Sequence, residues 1–135
     1  MKRVFVDANV FLRFFTLDDG GQHDRAARIF RAAESGKIVL VTGPPVLFEV
    51  SWTLRSAYKL SREKVLDVLA RIMGLSGLEL TDFSLVDTAL RMAQDREGEF
   101  ADCYIAATIQ ASGADGLATF NRKDFQRLGV DLMEF

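Results

Sequence analysis

The stretch Val4-Phe5-Val6-Asp7-Ala8-Asn9-Val10-Phe11-Leu12 changes its structural period in the middle. Its first three residues are β-branched or aromatic and read as a short strand. That run stops at Asp7, after which Phe11, Phe14 and Phe15 recur at helical spacing. Asp7 therefore falls at a strand's carboxyl end, in the place of a helix N-cap. The same alternation returns along the chain. Ile38-Val39-Leu40-Val41 is a continuous apolar run, the pattern of a strand buried on both faces. Leu78-Glu79-Leu80, Gly116-Leu117-Ala118-Thr119 and Asp131-Leu132-Met133 are further strand candidates, the last at an edge. Helical patterns fill the intervals. One covers residues 23–34, after a break at Asp18-Asp19-Gly20-Gly21. Another runs from the turn Thr42-Gly43-Pro44-Pro45 to about Tyr58, and a third opens at Ser61 and covers 62–73. A fourth is capped by Ser84 and runs to about Gln94. A fifth spans Phe100 to Ser112 and stops at Gly113, and a short turn begins at Asp124-Phe125. Strands separated by helices pair in parallel, because parallel neighbours need a long crossover. The expected fold is an α/β sandwich forming one domain over residues 1–135. Ligands of such sheets bind beyond the carboxyl ends of the strands.

Composition narrows the chemistry. The chain is 49% apolar and 27% charged, as an ordinary globular protein is. A single cysteine, Cys103, excludes an internal disulfide framework and a cysteine-rich zinc module. One histidine, His23, leaves little for multi-histidine chemistry, so catalysis must rest on carboxylates, hydroxyls or amines. A net charge of −2 implies no general polyanion surface, though it allows a local basic patch. No apolar stretch reaches the ~18 residues a membrane span needs. Met1-Lys2-Arg3 leads into only a short apolar run that ends at Asp7, unlike a signal peptide. A cytoplasmic protein without membrane contact is the expectation.

Two more carboxylates stand out beside Asp7. Glu49 lies in Val46-Leu47-Phe48-Glu49-Val50-Ser51-Trp52-Thr53-Leu54, where its helical neighbours are Pro45, Val46, Trp52 and Thr53. A glutamate on so apolar a stripe must snorkel, pair or bind something. Asp102 lies in Phe100-Ala101-Asp102-Cys103-Tyr104-Ile105-Ala106-Ala107, at the head of the stripe that continues with Ile105, Ala106 and Ile109. Each acid has a plain explanation: a cap for Asp7, a snorkelled surface group for Glu49, a helix-dipole partner for Asp102. Together they suggest a cation site, because clustered carboxylates need positive charge to neutralise them. Hard divalent cations with oxygen ligands do this well.

At these positions the chain resembles the PIN-domain ribonucleases. The resemblance rests on Val-Asp-Ala-Asn-Val-Phe-Leu at 6–12, Glu49 after Pro44-Pro45, Phe-Ala-Asp-Cys-Tyr-Ile-Ala-Ala at 100–107 and Leu-Ala-Thr-Phe-Asn-Arg-Lys-Asp-Phe at 117–125. It covers essentially the whole chain, in order, and is nearest to the toxin components of VapBC toxin–antitoxin pairs. It implies a three-layer α/β/α sandwich with a central parallel sheet of order 3-2-1-4-5. It further implies an RNA-cleaving site that holds Mg2+ or Mn2+, with products bearing 5′-phosphate and 3′-hydroxyl ends. By the same resemblance Asp7, Glu49 and Asp102 are the catalytic and metal-binding acids, supported by Thr119 and by Asn9. The family often carries a fourth acid two residues after that threonine. Asn121 stands there in this chain and offers a carbonyl oxygen without charge. Asp124 reads as structural, at the start of the last short helix.

Arg13, Arg122 and Lys123 lie beside these motifs and are candidate substrate contacts. Arg25, Arg28 and Arg31 share one helix face, which reads first as a solvated face and second as a phosphate-binding one. Phe48, Trp52, Leu54, Tyr58 and Leu60 exceed what one buried face needs. That surplus suggests either a Phe-rich core or a contact surface, and by resemblance an antitoxin and a second copy in a homodimer. A receiver-type regulatory domain is a rival, but it needs paired acids after its first strand, and Asp7 stands alone. A catalytically silent RNA- or protein-binding module on the same fold is the alternative function.

Overall fold

The computed structural model describes the whole chain, Met1–Phe135. Its elements in order are β1 (Arg3–Phe5), α1 (Ala8–Phe15), α2 (Gly20–Glu34), β2 (Val39–Thr42), α3 (Pro44–Ser56), α4 (Arg62–Met73), β3 (Leu78–Leu80), α5 (Phe83–Asp95), α6 (Phe100–Ser112) and α7 (Arg122–Arg127). The fold is α/β with a parallel sheet. The chain divides into two compact units, Met1–Asp82 and Phe83–Phe135.

The first unit holds the sheet. β1 pairs with β2 and β2 with β3, all parallel, so the order is β1-β2-β3. Leu40 at its centre is fully buried. Val39 and Val41 are only half-buried, so the run read as buried on both faces buries one face completely and the other in part. Thr42 is also fully buried, and its hydroxyl donates to the Val6 carbonyl at 3.1 Å. Phenylalanines from two helices make the core beside the sheet. Phe30 of α2 packs against Phe11 and Phe14 of α1, with ring centroids 5.6 and 4.7 Å apart. Leu47, Val50 and Leu54 are the buried stripe of α3. Leu54 is thus core, while Trp52 on the opposite face is 70% exposed.

Several boundaries differ from the sequence reading. The glycine pair does not break the chain, because α2 already starts at Gly20. The Asp19 carboxylate accepts the Gln22 N–H at 2.9 Å and so caps the helix ahead of both glycines. α3 ends at Ser56, before Tyr58, and Lys59 adopts φ 58°, where a right-handed helix cannot continue. Ser84 lies inside the first turn of α5 and does not cap it. Ser61 does cap α4, accepting the Lys64 N–H at 3.2 Å.

The second unit contains α5, α6 and α7, with α5 packed on α6. The expected fourth and fifth strands are reduced to one parallel bridge, Leu117 with Leu132. Gly116 and Ala118 give that segment little side chain to pack, which disfavours a longer ladder. The ladder therefore covers the 3-2-1 part of the expected order, and the 4-5 part is a bridge. No helix is long and apolar enough to cross a membrane.

Candidate active site

The candidate residues fall in both units, and each group has its own geometry. In the first unit Asp7 stands two residues after the end of β1, between buried Val6 and buried Ala8. Two bonds fix its approach: the Val6 N–H donates to the Val41 carbonyl at 2.8 Å, and the Thr42 hydroxyl holds the Val6 carbonyl. One Asp7 carboxylate oxygen accepts the Ala8 N–H at 2.8 Å. The cap is real, and it engages only one of the two oxygens. The carboxylate itself is exposed at the carboxyl end of the strand, where ligands of α/β sheets bind. Glu49 is exposed on α3, on the same outer face as Pro45 and Trp52. The apolar stripe inferred for it is therefore a solvent-facing one, and no burial forces the carboxylate to pair. Asn9 is exposed in the first turn of α1 and lines a groove of about 360 Å³ with Arg13, Gln22 and Arg25.

Arg13 is held inside the first unit. Its Nε donates to Gln22 at 2.7 Å, and its terminal nitrogen reaches Asp18 at 3.3 Å and the Tyr58 hydroxyl at 3.2 Å. The Tyr58 hydroxyl also donates to Asp18 at 2.7 Å. Hydrogen bonds from Tyr58 and Thr16, ahead of the charge of Arg13, hold the Asp18 carboxyl below the usual range. Arg13 thus joins α1 to the loop after α3, a structural task the sequence did not suggest.

In the second unit Asp102 is half-buried in the first turn of α6. A helix N-terminus alone would favour its charged form. Its pKa is nonetheless raised, first by desolvation and then by the negative charges of Asp124 and Glu99. Asp124, in the first turn of α7, thus acts on Asp102 as well as opening its own helix. Ile105, expected beside Asp102 on an inward stripe, is 43% exposed. Thr119 accepts the Asn121 N–H at 3.0 Å through its side-chain oxygen and so fixes the turn before α7. Asn121 is exposed at the N-cap position of α7 and makes no capping bond with its side chain. Arg122 is tied to Glu134 at 2.7 Å and to the Met133 carbonyl at 3.3 Å. Lys123 is exposed.

Within neither unit do three His, Cys, Asp or Glu side chains converge closely enough to hold a metal ion. The donor chemistry still suits a hard cation. Asp7, Glu49, Asp102 and Asn121 offer oxygens only, and the charge crowding around Asp102 is of the sign that a cation relieves. Sequence reasoning missed Thr42, which anchors the backbone before Asp7, and the influence of Asp124 and Glu99 on Asp102. A threonine that ends a β-branched run just before Gly43-Pro44 was the one available signal for the first.

Comparison with known proteins follows the same residues. The PIN domain family matches residues 4–131, a span that runs through both units. Over 86 residues the chain is 29% identical to the VapC ribonuclease of Aquifex aeolicus (strain VF5), covering 62% of this chain and 62% of that protein. The chain thus spans less than two thirds of the length of that curated relative. Among solved structures it is similar to Mycobacterium tuberculosis VapC20, a Sarcin-Ricin loop cleaving toxin, with 18% identity and a TM-score of 0.42. That likeness covers 96% of this chain and 98% of the other.

Proposed function

The chain belongs to the PIN domain family, and from that premise we propose that it is a metal-dependent endoribonuclease, the toxin of a VapBC-type pair. The observation that carries this reading is the half-buried Asp102 carboxylate, crowded by Asp124 and Glu99. Like charges beside a family signature are a setting that a bound cation would relieve. Asp7, Glu49 and Asp102 are the proposed ligands, with Asn121 adding a neutral oxygen. A bound Mg2+ or Mn2+ supplies an activated water and offsets charge on the phosphate.

The residues of the chain do the rest. Asp7 is presented by a strand end whose backbone Thr42 and Val41 fix. Glu49 or Asp102 would accept the water's proton. With the cation held by these residues, the water oxygen would bond to phosphorus as the bond to the 3′ oxygen breaks, the water's proton would pass to the carboxylate, and the 3′ oxygen would take a proton from solvent. Thr119 holds the turn that carries Asn121. Lys123 is the substrate cation, and Arg122 shares its charge with Glu134. Asn9 lines the groove beside Asp7. An antitoxin protein, a homodimer and a cytoplasmic location complete the reading.

The test is cleavage of structured RNAs by partner-free protein with Mg2+ or Mn2+, with and without chelator. Metal-dependent cleavage is expected. Asp102→Asn should lower kcat/KM by at least about 100-fold, the upper end of what losing a mere outer-shell partner costs. Cleavage that persists in chelator overturns the metal mechanism. No cleavage of any RNA moves the reading to a catalytically silent binding module. The toxin assignment is checked separately, by expression in the native host. Wild type should arrest growth, Asp7→Asn should not, and a co-expressed partner should relieve the arrest.

A further inference from the structure

Most arginines of this chain have a partner within it: Arg62 pairs with Glu63, and Arg55 and Arg96 donate to backbone carbonyls. Arg3, Arg13, Arg71, Arg91 and Arg122 each meet a carboxylate. The guanidinium groups of Arg25, Arg28 and Arg31 on α2 meet none and form no hydrogen bond, although Asp24 and Glu34 lie on the same helix. All three are exposed. Residues 20–37 carry four cations against two carboxylates, in a chain whose net charge is −2. The segment from α2 to Lys37 therefore carries a net positive charge whose cations have no partner within the chain.

Surface shape follows the charge. The groove between α1 and α2 starts at Asn9, two residues from Asp7, and reaches Arg25. At the other end of α2 a hollow of about 640 Å³ is lined by Arg28, Arg31, Ser35 and Lys37, with Glu34 at its side. The three arginines rise along the helix by about 4.5 Å per step. They thus step along α2 from the groove that Arg25 shares with Asn9 to the hollow at the end of the helix. A solvated helix face needs neither the groove at its start nor the hollow at its end.

We infer that α2 is a track for the RNA backbone, with Arg25, Arg28, Arg31 and Lys37 binding phosphates of the strand that enters or leaves at Asp7. The inference rests on the ribonuclease reading and deepens it, by giving that site an extended substrate rather than a single scissile bond. Contacts of this kind position a strand without reading its sequence. Guanidinium groups suit the task because they remain charged and bind phosphate oxygens in pairs.

The probe is a fluorescein-labelled oligouridylate, bound in chelator so that cleavage cannot occur, with salt titrated. Each phosphate contact to a single strand contributes about −0.7 to the slope of log K against log salt. Replacing all three arginines by Gln should lower the slope by about 2 and weaken binding more than tenfold at low salt. Replacing them by Lys should keep most of the slope. Circular dichroism melts check that the variants are folded, as these exposed positions predict. An unchanged slope in the Gln variant overturns the track, even if the protein cleaves RNA. Binding that loses its slope in a protein that never cleaves leaves the track standing and removes the nuclease. Equal affinity and slope for a polyglutamate peptide overturn it in favour of an acidic protein partner.

Discussion

Asp18 and Asp102 show how one side-chain type is tuned in opposite directions. Asp18 is pulled down by donors, chiefly the Tyr58 hydroxyl, so its folded form holds its proton less tightly than the unfolded chain does. The stability it contributes is present above the unfolded pKa and is lost as pH falls through the folded one. Tyr58→Phe should therefore raise the Asp18 pKa toward its ordinary value, read by NMR titration of its carboxyl carbon. An unmoved titration would show that Thr16 and Arg13 suffice. Asp102 is pushed up, so the sign reverses. Its folded form binds a proton that the unfolded chain has already released. Native stability is fullest below the unfolded pKa and falls as pH rises through the folded one. In metal-free protein Asp102→Asn should raise the melting temperature at neutral pH and flatten its dependence on pH below neutrality. The gain should stay under about 1 kcal/mol, since water screens a half-exposed group. A lower melting temperature for the variant at every pH would show that Asp102 acts as a favourable dipole partner and not as a crowded acid.

Elements were legible wherever a local signal fixed both ends. α6 runs from Phe100 to Ser112, as read, because Gly113 takes the left-handed conformation at φ 73° that ends a helix. α4 opens where Ser61 can accept a backbone N–H. Ser61→Ala should cost about 1 kcal/mol, measured by urea denaturation, because it orphans that donor. The readings that failed needed information from outside the window. Gly20 and Gly21 look like breakers until the Asp19 carboxylate is seen to cap the helix ahead of them. Residues 116–119 have the flanks of a strand but too little side chain to extend the pairing beyond one bridge. Gly77 is a position no pattern singled out. It has φ 81°, and a Cβ there would stand 2.5 Å from the Ala33 carbonyl oxygen at the end of α2. Its own carbonyl accepts the Leu40 N–H at 2.8 Å and starts the pairing of β3 with β2. Gly77→Ala should destabilise by about 1–3 kcal/mol from the backbone conformation alone, and further from the clash. A melt within a degree of wild type would mean the α2–β3 approach is softer than this geometry implies.

For the whole molecule, the order of the signature residues was legible and their electrostatic setting was not. Asp7, Glu49 and Asp102 stand out because each is a carboxylate on an element that otherwise looks apolar. The charges that set the state of Asp102 come from Glu99, three residues before it, and from Asp124, on another helix. Sequence spacing does not say that α7 packs on α6. Nor does it say that Arg13 is committed to Asp18, Gln22 and Tyr58. A metal role can therefore be told from a structural role only by a property of the folded chain as a unit. A cation that binds the native state and not the unfolded one stabilises by RT ln(1 + [L]/Kd), about 2.7 kcal/mol at a hundredfold excess over Kd. Thermal melts in chelator and in excess magnesium should show a rise of several degrees for wild type. Asp7→Asn should melt close to wild type in chelator, because asparagine caps a helix about as well as aspartate. It should gain little from magnesium, because its neutral amide is a poor ligand for a hard cation. Asp102→Asn should melt higher than wild type in chelator and also fail to respond. The two variants thus separate the cap from the crowded acid while sharing the lost response. If Asp7→Asn gains as much from magnesium as wild type does, Asp7 is a helix cap and nothing more, and the proposed ligand set loses its first member.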